Sequence, residues 1–362
     1  MEAPCPRFVY SSKDYIHQVS RRENDHGCPP QMSKFDSSIR SGWEERMQRG
    51  LFRYHLGALE TRILPGQARL VAQLNIARGQ QRRKPQEILS IRQDFNPNVF
   101  NFNKANPGEP IFELTNQEMP ASEVTKCCKM MVNVSPLEFG HSLIVPEPRQ
   151  CHPQVLTPHS IQVGIECVLL SADPGFRVGF NSLGAFASVN HLHLHGYYLD
   201  HELAVESAHA APVAPARGLF CLSGFPQGLL FYTEGKELQA VVKTIHAVTD
   251  FMVKHNIAHN LFLTRGCPPE AESARDNRRA GVRIIVWPRL ACFGAKEETG
   301  FNVALCELAG HLPFKNREEY EAATEDSVHG TIRKYTLPTE SFLNLQTKLI
   351  CHLSQDATNH SH

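Results

Sequence analysis

Three histidines alternate in the stretch "SVNHLHLHGYYL" at residues 188–199: His191, His193 and His195, with Leu192 and Leu194 between them. On an extended strand alternate residues share a face and stand about 6.6 Å apart. Imidazoles so placed allow three kinds of chemistry. Two alternating histidines chelate zinc in some enzymes. All three on one strand spread over about 13 Å, so a single ion would need a further ligand from elsewhere. A half-exposed polar strand is the plain structural reading, and the small-residue run Gly184, Ala185, Ala187 and Ser188 just upstream argues against it. The third reading is nucleophilic attack on phosphorus. Neutral imidazole is a good nucleophile near pH 7, its ordinary pKa being about 6.5. Attack on a phosphoanhydride leaves a phosphoramidate, which a second acceptor then cleaves. His193, in the middle, is best placed to attack, and His191 and His195 to orient its ring or donate to phosphate oxygens. Gly184 and Ser188 would let backbone N–H groups approach those oxygens. A leaving group that is itself a phosphate ester has a second pKa of about 6 and departs without a strong acid. That suits a stretch with no Asp or Glu between residues 174 and 199.

Other residues join this site as candidates. Asn181 precedes the glycine turn and either hydrogen-bonds phosphates or holds the turn. Lys104 and the cluster Arg82, Arg83 and Lys84 in "RGQQRRKP" are phosphate contacts or solvated cations. His141, in "FGHSL", reads as a strand-supporting residue. The elements that must position these groups follow from periodicity and punctuation. A helix is expected from Ser41, with Trp43, Met47, Leu51 and Phe52 on one stripe. Residues 95–104, "FNPNVFNFNK", alternate like a strand with Phe100 and Phe102 inward. Strands are expected at 129–134 and 139–145, then a helix capped by Thr157 with Pro158 in its first position. Strands follow at 176–181 and through the histidines. A long helix comes after Gly235, with strands at 259–266 and 281–289 and an amphipathic helix at about 340–353. Helix, strand and strand echo part of the first half.

The whole chain bounds the function. Its 362 residues suffice for two domains or one fold of two halves. Lys+Arg and Asp+Glu are 37 each, which argues against a broad nucleic-acid surface, so anion binding must be local. Eleven scattered cysteines include no Cys-x-x-Cys pair. With no signal-peptide pattern and no run of eighteen apolar residues, a cytoplasmic protein with reduced thiols and no membrane span is expected.

"HLHLH" resembles the signature of the histidine-triad (HIT) superfamily of nucleotide hydrolases and transferases. "FNSLGAFASVNHLHLHGYYL" (180–199) is similar to the nucleophile region of its GalT-like branch, and "NVSPLEFGHSLIVPE" (133–147) resembles that branch's Gly-His strand ending in Pro. "VAQLNIARGQQRRKPQE", "FNFNK", "GLLFYTEG" and "FNVALCELAGHLPFKNREEYEAA" look like segments of the GDP-hexose phosphorylases within the branch. The resemblance spans roughly residues 50–330. It implies an α+β fold of HIT-like antiparallel sheets with packed helices, in two HIT-like halves. The expected division is a loosely ordered arm at 1–40, a catalytic half at 41–235, a degenerate second half at 236–335, and a C-terminal helix and polar tail at 336–362.

The implied chemistry is guanylyl transfer. GDP-hexose binds, His193 attacks the α-phosphorus, hexose 1-phosphate leaves, and inorganic phosphate releases GDP from the GMP–His193 adduct. No cofactor or metal enters the scheme. His191 maps onto the first histidine of the motif. His195 maps onto a position that is glutamine in GalT-like transferases and in the plant phosphorylases. Histidine there resembles the hydrolase branch, and within the phosphorylases it favours the animal enzymes and GDP-D-glucose as substrate. The alternatives are a HIT nucleotide-sugar or dinucleotide hydrolase and a non-catalytic guanine-nucleotide-binding regulator. GDP-hexose, GDP and phosphate are the expected partners. Neither oligomeric state nor guanine recognition falls on any residue.

Overall fold

A computed structural model describes residues 5–19, 32–83, 85–119, 127–270, 279–294 and 300–358. The chain begins with strand β1 (Arg7–Tyr10), helix α1 (Lys34–Gln48), strands β2 (Glu60–Ile63) and β3 (Val71–Leu74) and the short helix α2 (Ile76–Gln81). A three-strand meander follows: β4 (Pro110–Asn116), β5 (Cys128–Val132) and β6 (Ser142–Pro146). Helix α3 (Pro158–Leu170) and strands β7 (Phe176–Asn181) and β8 (Leu194–Tyr198) complete a first unit. The order then repeats. A second meander, β9 (Ala210–Ala214), β10 (Leu219–Leu222) and β11 (Leu229–Thr233), leads to helix α4 (Leu238–Lys254) and strands β12 (Ala258–Gly266) and β13 (Gly281–Arg289). The remainder is α5 (Leu305–Leu308), β14 (His311–Phe314), α6 (Arg317–Ala322), α7 (Glu325–Arg333) and α8 (Thr339–Thr358).

Strand pairing shows how close the repeat is. The first unit runs β4-β5-β6-β8-β7 and the second β9-β10-β11-β13-β12. In each, the last strand of the hairpin pairs with the last strand of the meander. Antiparallel pairing of β7 with β12, Asn181 opposite Asn260, joins the units into one eleven-stranded sheet. All its pairs are antiparallel except β1 with β4. This is the α+β, two-unit architecture expected. The second unit, however, begins at Ala210 and not at 236, because β9, β10 and β11 belong with α4. They are short, and β9 carries alternation too weak to read as a strand.

The middle of the sheet is covered on both faces, so β7, β12 and β13 are buried on both sides. Helices α1, α3, α4 and α8 pack on one face through residues such as Ile39, Ile161, Val168, Ile245 and Leu349. The small sheet β14-β3-β2 and helices α5 to α7 cover parts of the other. Strand β8 shows the alternation: Leu194 and Tyr198 join the helix-side core, while Tyr197 joins the opposite one. His195 lies on that opposite face. Gly179, its cross-strand partner, has no side chain, and a Cβ there would lie 2.7 Å from Leu305, so its absence lets α5 approach the histidines.

Local signals explain where elements stop and start. Thr157 caps α3 by accepting from Ser160 N, with Pro158 in the first turn, as expected. Helix α1 is capped by Ser33, which accepts from Asp36 N, so it starts at Lys34 and not at Ser41. The expected loose arm at 1–40 differs too: Arg7–Tyr10 is a strand registered on β4. Residues 95–104 are not a strand. Asn101 Oδ1 accepts from Asn103 N and Lys104 Nζ donates to Val99 O, which curls the segment into a 3-10 turn at Phe102–Lys104. The last four residues of the expected polar tail, 359–362, lie outside the described residues, as does Lys84.

Candidate active site

Only His195 of the three histidines stands within β8. His191 and His193 precede it, because Leu192 N donates to His152 O and His193 N to Gln154 Oε1, which ties the segment to the 148–154 loop and away from β6. His193 and His195 line one cavity, their ring centroids 5.0 Å apart. His193 is the more constrained. Its Nδ1 lies 2.8 Å from His191 O and 2.9 Å from Gln154 Oε1. Both are acceptors, so Nδ1 carries the proton and Nε2 keeps a lone pair. Burial pushes the imidazole down to about 4, with only partial compensation from the bond to His191 O, so the ring is neutral near pH 7.

His195 is set by a second relay. Leu137 N donates to Nδ1 of the fully buried His141 (2.9 Å), so His141 carries its proton on Nε2. That N–H donates to His195 Nδ1 at 3.0 Å, which leaves His195 protonated at Nε2. Asn133 Nδ2, 3.2 Å from the same His141 nitrogen, is itself a donor and is then a neighbour and not a partner. Burial, and then His193 and Arg78, hold His195 well below the ordinary histidine range. The cavity therefore meets one imidazole prepared to give electrons and one prepared to give a hydrogen bond. His141 does more than support a strand.

His191 stands apart. Its Nδ1 accepts from Phe102 N (3.1 Å) and its Nε2 donates to Pro148 O (3.1 Å), so both nitrogens are spent on backbone, and the ring does not line the cavity. Its carbonyl, not its imidazole, serves His193. Phe102 stacks on the His191 ring at 5.5 Å and tilts against His193 at 4.9 Å. Among the described residues no group of three or more His, Cys, Asp or Glu is placed to hold a metal ion.

Cations gather in the same cavity. Arg78, Arg82 and Lys315 line it with Asn302, Asn181 and Glu307. Lys315 is pushed down by burial and then by Arg82, and Arg82 by burial and then by Arg78, as like charges in a confined space require. Glu307, buried and raised by burial, is the one carboxylate among them. Arg78 Nη1 donates to Ser135 O, and Lys315 Nζ donates to Asn302 Oδ1 at 2.8 Å. Such a set suits an anion with several oxygens.

The remaining candidates divide. Asn181 lines the cavity; its Oδ1 accepts from Asn260 Nδ2 (2.6 Å) and Leu305 N (3.0 Å), which turns its amide nitrogen to donate elsewhere. Ser188, Arg82 and Arg83 also line it. Gly184 does not. It holds a left-handed turn (φ +74°) whose carbonyl accepts from Cys292 N, with Phe293 packed against it. Lys104 is exposed and turned back to Val99 O, so it does not reach the cavity. Gln154, Arg78, Asn302, Lys315 and Glu307 escaped the sequence reading. Arg78 and Arg82 stand four apart after Asn75, which caps α2, and a helix recognised there would have put both on one side. Nothing local marks Gln154 or Lys315.

Residues 34–197 match the family model described as GDPGP1-like, N-terminal domain, and residues 205–357 the GDPGP1-like, C-terminal domain. The chain is 59% identical over 350 residues to GDP-D-glucose phosphorylase 1 of Danio rerio, covering 96% of this chain and 98% of that protein. It is 47% identical over 358 residues to GDP-D-glucose phosphorylase 1 of Homo sapiens, covering 97% and 93%. Among solved structures, yeast Ap4A phosphorylase Apa2 in complex with Ap4A superposes with a TM-score of 0.55 at 15% identity, over 84% of this chain and 98% of that one. At that identity the likeness speaks for the fold alone.

Proposed function

Because the chain belongs to the GDPGP1-like family, we propose that its two imidazoles and its cation cluster carry out phosphorolysis of GDP-D-glucose to GDP and D-glucose 1-phosphate. His193 Nε2 attacks the α-phosphorus in line. The bond from that phosphorus to the bridging oxygen breaks, and D-glucose 1-phosphate departs with the electron pair. GMP stays on His193. Inorganic phosphate then enters where the leaving phosphate stood, forms a new anhydride bond and frees His193 as GDP leaves.

The observation that carries this reading is the fixed tautomer of His193. With Nδ1–H held by two acceptors, Nε2 is the only nucleophilic nitrogen. Once it bonds phosphorus the ring becomes cationic, and those same acceptors stabilise it. His195 Nε2–H donates to an oxygen of the transferring group. Arg78, Arg82 and Lys315 offset the charge on the departing and entering phosphates, with Asn181 and Ser188 as neutral donors. His191 is a positioning residue, acting through its carbonyl and through Phe102.

Intact mass spectrometry of the protein with GDP-D-glucose and no phosphate, beside His193→Ala, tests the reading. One added GMP on the wild type alone, discharged to GDP by phosphate, is the expected result. An adduct that water discharges to GMP while phosphate does not would move the chain to hydrolysis. Turnover without any adduct would overturn the covalent step.

A further inference from the structure

A second buried carboxylate, besides Glu307, lines the active-site cavity. Glu109 is 8% exposed and shares its part of the cavity wall with Phe100, Phe102, Val132 and Leu143. Asn106 N donates to its Oε1 at 3.0 Å; among the described residues its Oε2 has no hydrogen-bond partner. Burial raises the carboxyl, and the bond from Asn106, Arg83 and Arg53 oppose that rise. Arg83 lies over the Phe100 ring, 3.2 Å from its centroid. A buried carboxylate with an open oxygen beside two aromatic rings is costly unless a ligand completes it.

Its place along the sheet suits one part of the nucleotide. His195 pairs with Leu143, Leu143 with Met131, and Met131 with Pro110, the residue after Glu109. Three strand spacings separate them by about 14 Å between backbones. His195 and Glu109 line the same cavity, and that separation suits the span of a nucleoside monophosphate.

We propose that Glu109 reads the guanine base, its carboxylate accepting N1–H and the 2-amino N–H while the Phe100 and Phe102 rings pack on the purine. This rests on the guanylyl-transfer reading above. The chemistry is selective. Guanine presents two adjacent donors on that edge, which match two carboxylate oxygens. Adenine presents an acceptor at N1 and no 2-amino group, so it would leave the carboxylate unpaired and repelled. Hypoxanthine keeps N1–H and lacks only the amino group.

Affinities of GDP, IDP and ADP, measured by calorimetry on the wild type and on Glu109→Gln, test the inference independently of turnover. The wild type should prefer GDP over IDP roughly 10- to 100-fold, the worth of one hydrogen bond to a charged acceptor, and should bind ADP more weakly still. In Glu109→Gln the GDP to IDP ratio should collapse toward unity. The ratio is taken within one preparation, so it does not depend on the folded fraction. Equal affinity of the wild type for GDP and IDP would overturn the proposal without any variant. So would a ratio unchanged in Glu109→Gln. Failure of the parent reading looks different: GDP would bind with its guanine preference, and GDP-D-glucose with phosphate would release no D-glucose 1-phosphate.

Discussion

Replacing Gln154 by Met tests whether the clamp on the nucleophile contributes to the chemical step. Gln154 is 1% exposed and its side chain makes four hydrogen bonds, three of them to His193. Its Oε1 accepts from His193 N and from His193 Nδ1–H, each at 2.9 Å, and its Nε2 donates to His193 O and Asn181 O, each at 3.0 Å. Methionine matches its length and removes all four. The orphaned His193 N–H costs about 1–3 kcal/mol of stability, since it is buried. The kinetic effect is separate. In the resting enzyme the Nδ1–H bond is neutral and contributes about 1 kcal/mol; in the adduct the ring is cationic and the bond is worth about twice that. His191 O remains as the second acceptor. The difference, roughly 1 kcal/mol, slows adduct formation about fivefold. Rapid-quench measurement of GMP transfer at saturating GDP-D-glucose reads this rate directly, with thermal unfolding of the same sample alongside. A slower rate at unchanged affinity is expected. A rate within error of the wild type in a protein that melts earlier would show that Gln154 braces the loop and does nothing for the transition state.

The protonation of His193 gives a further expectation. His193 attacks only when neutral, and burial holds its folded value down to about 4, so kcat/KM should be level above about pH 5 and fall only as pH drops through that value. An acid limb near the ordinary histidine value of about 6.5 would refute the effect of burial. Lys315→Met should slow discharge of the GMP adduct by phosphate about tenfold, the loss of one charge-assisted contact, and slow discharge by water much less. Equal slowing of both would remove Lys315 from the acceptor site.

Much of the catalytic face was legible because its signals are local. The alternating histidines placed His193 and His195 in one cavity, and Thr157-Pro158 set the start of α3 beneath them. Strands β12 and β13 came from the apolar stretches 261–263 and 284–287 on either side of a polar loop. What escaped depends on contacts between distant segments. His191 shares the alternation of its neighbours, yet Phe102 N and Pro148 O claim both its nitrogens. Lys104 looked like a phosphate ligand until the Asn101 turn folded it back onto Val99. Lys315 and Glu307 reach the cavity from the segment that follows the second unit, and nothing in their own neighbourhoods indicates it. His141 carries the same lesson: in "FGHSL" it reads as structural, and only its bond to His195 shows that it governs a proton.

The doubled strand order has a consequence for how the site persists. Asn181, on the last strand of the first unit, is held by Asn260 and Leu305 from beyond it, and Lys315 arrives from further still. Were the two units separate molecules, this site would exist only at concentrations that keep them associated. A covalent tether replaces that requirement with a high local concentration that dilution does not change. It also frees the two copies to diverge. One keeps the reactive imidazole, and the other, relieved of that duty, supplies Asn260 behind Asn181, a support that a symmetric pair of identical subunits would have to build from a single sequence.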